Sequence, residues 1–449
     1  MSNTRYWFFA EITLIFLSML MALVIYIVPN STQIMIDISL FIYIAIIYVS
    51  FRRVKAFNIY HAWIVGYIFI VWSEMCIICD SPGPIGGYIT PFFRFILANG
   101  CVLLGYNIKQ KDVSTKTYNI TKDNNWFPLL ILILSAYFIY KKLPSVLAVY
   151  TNGRVAVLGN AKGGGTVSGA LISALGVLMP AIIAYYVKCV KKKSILFALL
   201  LALPICVMQL FGGTRFRFLF SFLPVMIVLG IFNIKRGERN KIVLLSTVML
   251  AMIVLTNFVK ENRNSGLEES SISFFDENER YISSRASVRL ARHFSPEGVV
   301  RMAKQADDYF STHPLHYGKE TSFILYFWVP RSLWKEKPTQ LDYWLIREYE
   351  TVAEEFSTAS GFIGELRADF GWGCLLFVFL FGILLKRIDL YSAAILSKGS
   401  DVFNIVLVSV LYPWAFFFVR SPITSTMTLL WQLVIFFAFK HMFASKRMG

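Results

Sequence analysis

Charged residues are scarce in this chain of 449 residues, since only 16% are Asp, Glu, Lys or Arg while 56% are hydrophobic. A soluble domain carries about 25% charged residues, so the polar surface here is too small to cover a globule of this size. The mean hydropathy is +0.59, and apolar runs recur along the chain. This composition excludes an ordinary soluble fold and predicts an all-α polytopic integral membrane protein.

Signatures of nucleotide, metal and redox chemistry are also missing. The sequence has no P-loop, no H-E-x-x-H and no G-x-S-x-G. Cys76 and Cys79 form a C-x-x-C inside an apolar run, without a second pair or a nearby His, which favours ordinary helix packing. No metal and no cofactor are therefore expected. Arg5 precedes an apolar run without a small-x-small site, so the first span is expected to stay as an anchor.

The apolar runs predict about 12 transmembrane helices, which we number in chain order. They lie at 7–28, 34–51, 59–79, 88–106, 126–140, 167–187, 195–211, 216–234, 242–259, 369–385, 402–419 and 425–443. No internal repeat is visible, so the inverted halves of many transporters are not expected.

Basic residues make up most of the charge, and the net charge is +17. They cluster at both termini and in the connections after every second predicted span, whereas the linkers 29–33 and 80–87 contain no Lys or Arg. The positive-inside rule therefore places both termini in the cytoplasm. The predicted organisation is helices 1–9 in residues 1–259, one large extracytoplasmic loop in 260–359, and helices 10–12 in 360–449.

The loop 260–359 is the longest polar stretch, and it holds 16 of the 27 acidic residues and three of the five His. Its Trp and Tyr content is typical of a folded segment rather than a disordered one. A Ser295-Pro296 start signal predicts a helix over 297–309, and 322–333 is predicted to be an aromatic helix in the membrane interface.

Three arginines, Arg215, Arg420 and Arg94, are candidates for anion binding or for structural ion pairs. Arg215 follows Gly212-Gly213-Thr214, where backbone N–H groups can approach an anion closely. Arg420 begins the last outer turn. Arg215 and Arg420 could each contact lipid head groups instead. Arg94 lies inside a predicted span, where an unpaired charge is costly, and Glu74 is its expected partner.

A further basic series lies in the loop. Arg285, Arg289 and Arg292 are spaced i, i+4, i+7 on one predicted helical face, and no acid lies between residues 281 and 296. Such a stripe is either a solvated helix face or an anion site. His293 follows directly and could transfer protons or simply lie on the surface.

The linker 141–166 is the one outer connection that carries several lysines and arginines. It ends in Gly163-Gly164-Gly165, so it is either a flexible loop with snorkelling lysines or an outer anion surface with a hinge.

Three motifs, taken in this order, resemble the Wzy-type oligosaccharide repeat-unit polymerases, which include O-antigen and enterobacterial common antigen polymerases. They are Phe211-Gly212-Gly213-Thr214-Arg215, then the P-x-x-x-W-x-x-x-P element at 330–338, and then Ser360-Gly361-Phe362-Ile363-Gly364-Glu365 with Arg420 further on. The segment 290–296 is also similar to a family segment. The number of spans and the position of the large loop agree with the family over most of the chain.

The resemblance implies a metal- and nucleotide-independent glycosyltransferase of the bacterial inner membrane, with a fold like that of the C-type glycosyltransferases. Such an enzyme transfers a growing glycan from undecaprenyl pyrophosphate to another lipid-linked repeat unit, with a chain-length co-polymerase and a repeat-unit flippase as partners and no nucleic acid. The residues expected to stabilise the leaving pyrophosphate are Arg215, Arg292 and Arg420, with Arg289, Arg331 and Lys337 as further ligands.

Glu365 is the first candidate for the base that deprotonates the acceptor hydroxyl, and His293 is the second. Glu365 could instead pair with Arg367 or an outer arginine. Two other functions stay open at this point. One is an O-antigen ligase acting on the same lipid carrier, and the other is a polysaccharide flippase or transporter, which would carry several charges at mid-membrane.

Overall fold

The structure is a computed structural model of the chain. It describes residues 2–54, 58–81, 85–111, 119–120, 126–160, 167–187, 191, 193–211, 215–233, 285, 287–288, 291, 298–327, 329, 333–349, 359–398 and 402–445. The described chain is helical apart from two paired strands of two residues each, β1 (Asn119–Ile120) and β2 (Ala444–Ser445). The predicted all-α class is therefore confirmed.

Nine helices come first in the described part of the chain. They are α1 (Ser2–Ile27), α2 (Thr32–Val54), α3 (Ile59–Tyr67), α4 (Ser73–Asp80), α5 (Ile89–Tyr106), α6 (Trp126–Asn160), α7 (Val167–Tyr185), α8 (Ile195–Phe211) and α9 (Arg215–Asn233). A π-helical stretch, Ile68–Trp72, joins α3 to α4 into one continuous rod.

Seven helices follow in the described part of the second half. They are α10 (Val299–Thr312), α11 (Lys319–Tyr326), α12 (Leu341–Tyr349), α13 (Gly361–Phe370), α14 (Cys374–Lys398), α15 (Val402–Phe418) and α16 (Pro422–Phe443). The short 3-10 turn Gly371–Gly373 separates α13 from α14.

Six helical segments in the described chain are long and apolar enough to cross a membrane. They are Arg5–Ile27, Pro29–Val54, Ile59–Asp80, Ile85–Tyr106, Leu129–Ala148 and Gly361–Leu396. Large apolar side chains on them are exposed, such as Phe41 at 71%, Leu132 at 66% and Leu376 at 62%, and this is the surface that lipid tails would cover. Five shorter apolar helices match other predicted spans, the predicted span 242–259 lies outside the described residues, and the count of 12 stays a prediction.

The chain divides into two compact units. One comprises Met1–Val113, Arg280–Tyr391 and Ala415–Thr426, and the other comprises Ser114–Glu279, Ser392–Trp414 and Met427–Gly449. The described loop helices α10, α11 and α12 thus belong to the same unit as the first five helices. We call this the first unit.

A close backbone crossing holds α5 against α14 in the first unit. A Cβ atom added at Gly105 would collide with the carbonyl of Phe379, and one added at Gly382 would collide with the carbonyl of Val102. Glycine is required at both positions because any side chain would force the two backbones apart. This contact fixes the span that follows the loop against a span that precedes it.

The loop helices have a small hydrophobic core of their own. It contains Met302, Ala306 and Phe310 from α10, Leu341, Leu345 and Ile346 from α12, and Ala368 from α13. Because α13 continues through the 3-10 turn towards the apolar helix α14, this core connects the polar helices directly to a membrane-type segment.

Several predicted boundaries are wrong. The fifth predicted span does not end at 140. The corresponding helix, α6, continues to Asn160 with Pro144 inside it, so most of the predicted linker 141–166 is helical. The tenth span does not begin at 369, since residues 361–370 form the separate helix α13. The loop helices run over Val299–Thr312 and Lys319–Tyr326 instead of 297–309 and 322–333.

Candidate functional site

The first loop helix, α10, is fixed by a carboxylate from a membrane-type helix. Glu74 of α4 is 5% exposed, and its two oxygens accept the backbone N–H groups of Val300 at 3.0 Å and Arg301 at 3.1 Å. The N-cap of α10 is Gly298, which has no side chain to accept these donors. Glu74 therefore supplies the missing cap and places a negative charge at the positive end of the helix.

The next two loop helices are capped in the same manner. Asp369 of α13 is fully buried and accepts the N–H groups of Glu320 at 3.0 Å and Thr321 at 2.7 Å, and also the Thr321 hydroxyl at 2.6 Å. Glu320 in turn accepts the N–H of Leu341, the first residue of α12, at 3.0 Å. A chain of buried carboxylates thus fixes α11 on α13 and α12 on α11.

Glu365 organises the turn that contains Arg420. Its Oε1 accepts the hydroxyls of Ser360 and Ser421, each at 2.8 Å, and its Oε2 accepts the N–H of Ile423 at 3.0 Å at the start of α16. The backbone N–H of Gly361 donates to the Arg420 carbonyl at 2.8 Å. The structure therefore brings Glu365 and Arg420, which are 55 positions apart in the sequence, to one turn.

Replacing Glu365 with Gln is expected to lower the free energy of unfolding by about 1.5–3 kcal/mol, the value of hydrogen bonds to a charged group. The Gln amide keeps one acceptor oxygen but presents an NH₂ group to donors that need an acceptor. The thermal unfolding midpoint of the purified protein in detergent measures this. Glu336→Gln is the control because Glu336 is exposed. Equal midpoints for the two variants would contradict the structural role of Glu365.

A buried cluster of two arginines and one aspartate lies on α5, α10 and α13. The Arg94 Nη1 and the Arg367 Nε both donate to the Oδ1 of Asp307, the latter at 3.2 Å. The Arg94 guanidinium also lies 4.5 Å from the ring centroid of Trp372. The predicted Arg94–Glu74 pair is wrong, because Glu74 caps α10 and the carboxylate of Asp307 takes its place.

The charges of this cluster do not balance. Among the residues that the structure describes, two guanidinium groups share a single carboxylate, and the exposed fractions of the Arg94, Asp307 and Arg367 side chains are only 3%, 14% and 14%. Within the described part of the chain, the Arg94 Nε has no hydrogen-bond partner. A surplus positive charge at low exposure is costly unless an anion offsets it, so this arrangement favours binding of an anionic group.

The neighbouring residue Asp308 has a different role from Asp307. It is 48% exposed on its side chain and accepts a hydrogen bond from the Lys304 Nζ at 2.6 Å, one helical turn away. This hydrogen bond raises the pKa of Lys304 above its usual range. The Lys304–Asp308 pair is neutral overall and leaves the charge of the buried cluster unchanged.

Lys337, a predicted pyrophosphate ligand, is buried in the P-x-x-x-W-x-x-x-P element. Its Nζ donates to the carbonyls of Phe327 at 2.6 Å and Val329 at 3.0 Å, and lies 5.0 Å from the ring centroid of Phe323. These contacts tie Lys337 to the backbone just before the element. The structure thus shows Lys337 holding the loop backbone, while its role in binding pyrophosphate stays a prediction.

An open pocket of about 290 Å³ lies among the loop helices, and sequence reasoning missed it. It is lined by Tyr309, His316, Lys319, Thr339 and Trp344. Glu320 orients two of its walls, because its Oε1 lies 3.0 Å from the His316 Nδ1 and 3.4 Å from the Trp344 Nε1. A sequence signal for this pocket was the spacing of His316 and Glu320, which lie four residues apart across a helix start.

The other predicted site residues are described in part or not at all. Arg215 begins α9 in the second unit, and its side chain lies outside the described residues. Arg289, Arg292, His293 and Arg331 also lie outside them. Arg285 is described, and its guanidinium bonds Asp37 of α2 at 2.6 Å, so this member of the predicted basic stripe forms a structural ion pair.

No family model, no curated protein and no solved structure matches the chain. A functional assignment therefore rests on the sequence motifs and on the geometry of the first unit.

Proposed function

We propose that the protein is a membrane glycosyltransferase that polymerises undecaprenyl-pyrophosphate-linked repeat units into an O-antigen or capsular-type polysaccharide on the outer face of the bacterial inner membrane. The observation that carries the proposal is the buried surplus of guanidinium charge at Asp307, held between membrane-type helices and a folded polar loop. A lipid-linked pyrophosphate combines an anionic group with a membrane anchor. The anionic group matches the guanidinium groups, and the anchor matches the membrane-type helices.

The reaction needs no external energy source, because the pyrophosphate is already an activated leaving group. An acceptor hydroxyl attacks the anomeric carbon of the donor glycan, the bond from that carbon to the pyrophosphate oxygen breaks, and the hydroxyl proton passes to a base. The developing negative charge falls on the pyrophosphate, and arginines lower the barrier by stabilising it. Arg420, Arg215 and Arg292 are proposed for this role, with Arg289, Arg331 and Lys337 as further ligands.

The proposed base is Glu365, with His293 as the second candidate. This choice is supported by the position of Glu365 beside the turn of Arg420. Both of its carboxylate oxygens accept hydrogen bonds there. Oε1 already accepts two hydroxyls and Oε2 accepts one N–H, so Oε2 is the oxygen proposed to take the proton. This makes Glu365 both a positioning group for Arg420 and a base.

The proposal includes the surroundings of the enzyme. Both termini lie in the cytoplasm, a flippase delivers repeat units to the outer face, and a co-polymerase sets the chain length. The charge bias of the short connections supports this orientation.

A deletion of the gene tests the function, with the wild-type gene on a plasmid as the control. Loss of polymer, with surface lipid carrying a single repeat unit, is expected for a polymerase. Full-length polymer that stays on the lipid carrier would instead identify a ligase. Repeat units trapped on the cytoplasmic side would identify a flippase, and unchanged surface polymer would contradict the proposal altogether.

A further inference from the structure

The open pocket on the loop helices has no role in the donor chemistry described above. Its walls combine two aromatic rings, Tyr309 and Trp344, with three polar side chains, His316, Lys319 and Thr339. Its volume of about 290 Å³ is close to the lower limit of small-molecule sites, which is about 300 Å³. A pocket of this size fits one small ring rather than an extended lipid or peptide.

The walls of the pocket are held in place before any ligand arrives. Glu320 is 3% exposed and bonds the His316 Nδ1, the Trp344 Nε1 and the backbone of Leu341. On the other side, the ring of His313 stacks on Tyr309 with centroids 4.1 Å apart and planes 7° apart. Little side-chain freedom is lost on binding, which improves the affinity for a small ligand.

The local charge argues against an anion in this pocket. Lys319 and Glu320 are neighbours in the chain, and the Glu320 carboxylate is within 3.0 Å of the His316 ring. Because an ionised carboxylate can only accept, the His316 Nδ1 donates to it, and Nε2 is the ring nitrogen that Glu320 does not engage. The pocket therefore offers donors and an acceptor at near-zero net charge, in contrast to the arginine cluster around Asp307.

A sugar ring in the pyranose form matches this combination. One of its faces consists largely of C–H groups, which pack on aromatic rings, while its edge carries hydroxyls that both donate and accept. We infer that this pocket is a saccharide subsite that holds one sugar ring of the glycan being polymerised, with Tyr309 and Trp344 against the ring and His316, Lys319 and Thr339 on its hydroxyls. The inference rests on the proposed function for the identity of the glycan.

Saturation-transfer NMR on the full chain, purified in a detergent without a sugar head group, tests the inference. The probe is the set of oligosaccharides released by partial acid hydrolysis of the host cell's own surface polysaccharide. Transfer to the sugar protons is expected with the wild-type protein. Lys319→Met and His316→Gln are each expected to weaken binding about tenfold through the loss of a hydrogen-bonding group. Lys335→Met is the control, because Lys335 is an exposed lysine of the same loop.

The outcomes separate the subsite from the function. No transfer with the wild-type protein, or equal transfer with Lys319→Met, His316→Gln and Lys335→Met, would overturn the saccharide subsite. Displacement of the sugar signal by millimolar inorganic phosphate would also overturn it, since the occupant would then be an anion. If transfer is seen and depends on Lys319, but the deletion strain makes normal polymer, the subsite stands and the proposed polymerase is wrong.

Discussion

Replacing Asp307 with alanine is expected to destabilise the protein by about 3–5 kcal/mol, which is the usual cost of removing one partner from a buried ion pair. Asp307 is the carboxylate that Arg94 and Arg367 share, and without it two guanidinium groups would face each other at low exposure. The unfolding midpoint of the purified protein in detergent should fall accordingly.

The adjacent Asp308→Ala variant is the matched control for this experiment. Asp308 is exposed and pairs with Lys304, so its loss is expected to cost no more than about 1 kcal/mol. A second measurement tests the surplus charge itself. Millimolar inorganic pyrophosphate should raise the midpoint of Asp307→Ala more than that of the wild-type protein, because an anion replaces the missing carboxylate. Equal midpoints for the two alanine variants would contradict the buried cluster.

The membrane-type helices could be predicted because their signal is local. A run of apolar residues long enough to cross a bilayer identifies a helix without any knowledge of its neighbours. The predicted boundary at Tyr140 was wrong because the helix accommodates Lys141, Lys142 and Pro144 and continues to Asn160. A proline in a membrane-type helix can be tolerated when its surroundings satisfy the backbone.

The partners of the buried charges could not be predicted, because they come from distant parts of the chain. Arg94 and Asp307 are 213 positions apart, and Glu74 reaches a helix that begins more than 200 positions later. The sequence did show that Arg94 needs a carboxylate, but the one expected, Glu74, was the wrong one. Gly298 and Gly318 were an overlooked signal, since helices that begin after glycine need a cap from elsewhere.

The candidate site stays a prediction, and the structure brings two of its residues together. Arg420 and Glu365 were singled out from motifs, and the structure places them on one turn through Ser421 and Gly361. The arginine pair at Asp307 and the pocket around Trp344 depend on the packing of α10 against α12 and α13, which no short motif encodes. Three acidic residues of the described loop, Asp307, Asp308 and Glu320, now have a structural role as helix caps or ion-pair partners.

Replacing Arg420 with Lys is expected to reduce polymer synthesis at least about 100-fold while the protein still inserts and folds. The backbone of Arg420 is fixed on both sides, since its N–H donates to the Phe417 carbonyl at 2.9 Å and its carbonyl accepts from Gly361 at 2.8 Å. The side chain therefore starts from a fixed position on this turn. Lysine keeps the charge but loses the planar fork that binds two phosphate oxygens at once.

Polymer length on gels and the amount of carrier-linked repeat unit measure this effect in the complemented deletion strain. Arg387→Lys is the control, because Arg387 is exposed on α14 and belongs to the predicted cytoplasmic side. If Arg420 stabilises the leaving pyrophosphate, Arg420→Lys should accumulate carrier-linked units at normal protein abundance, and Arg387→Lys should not. Full-length polymer from Arg420→Lys would remove Arg420 from the pyrophosphate site and leave the surplus charge at Asp307 as the anion site to examine.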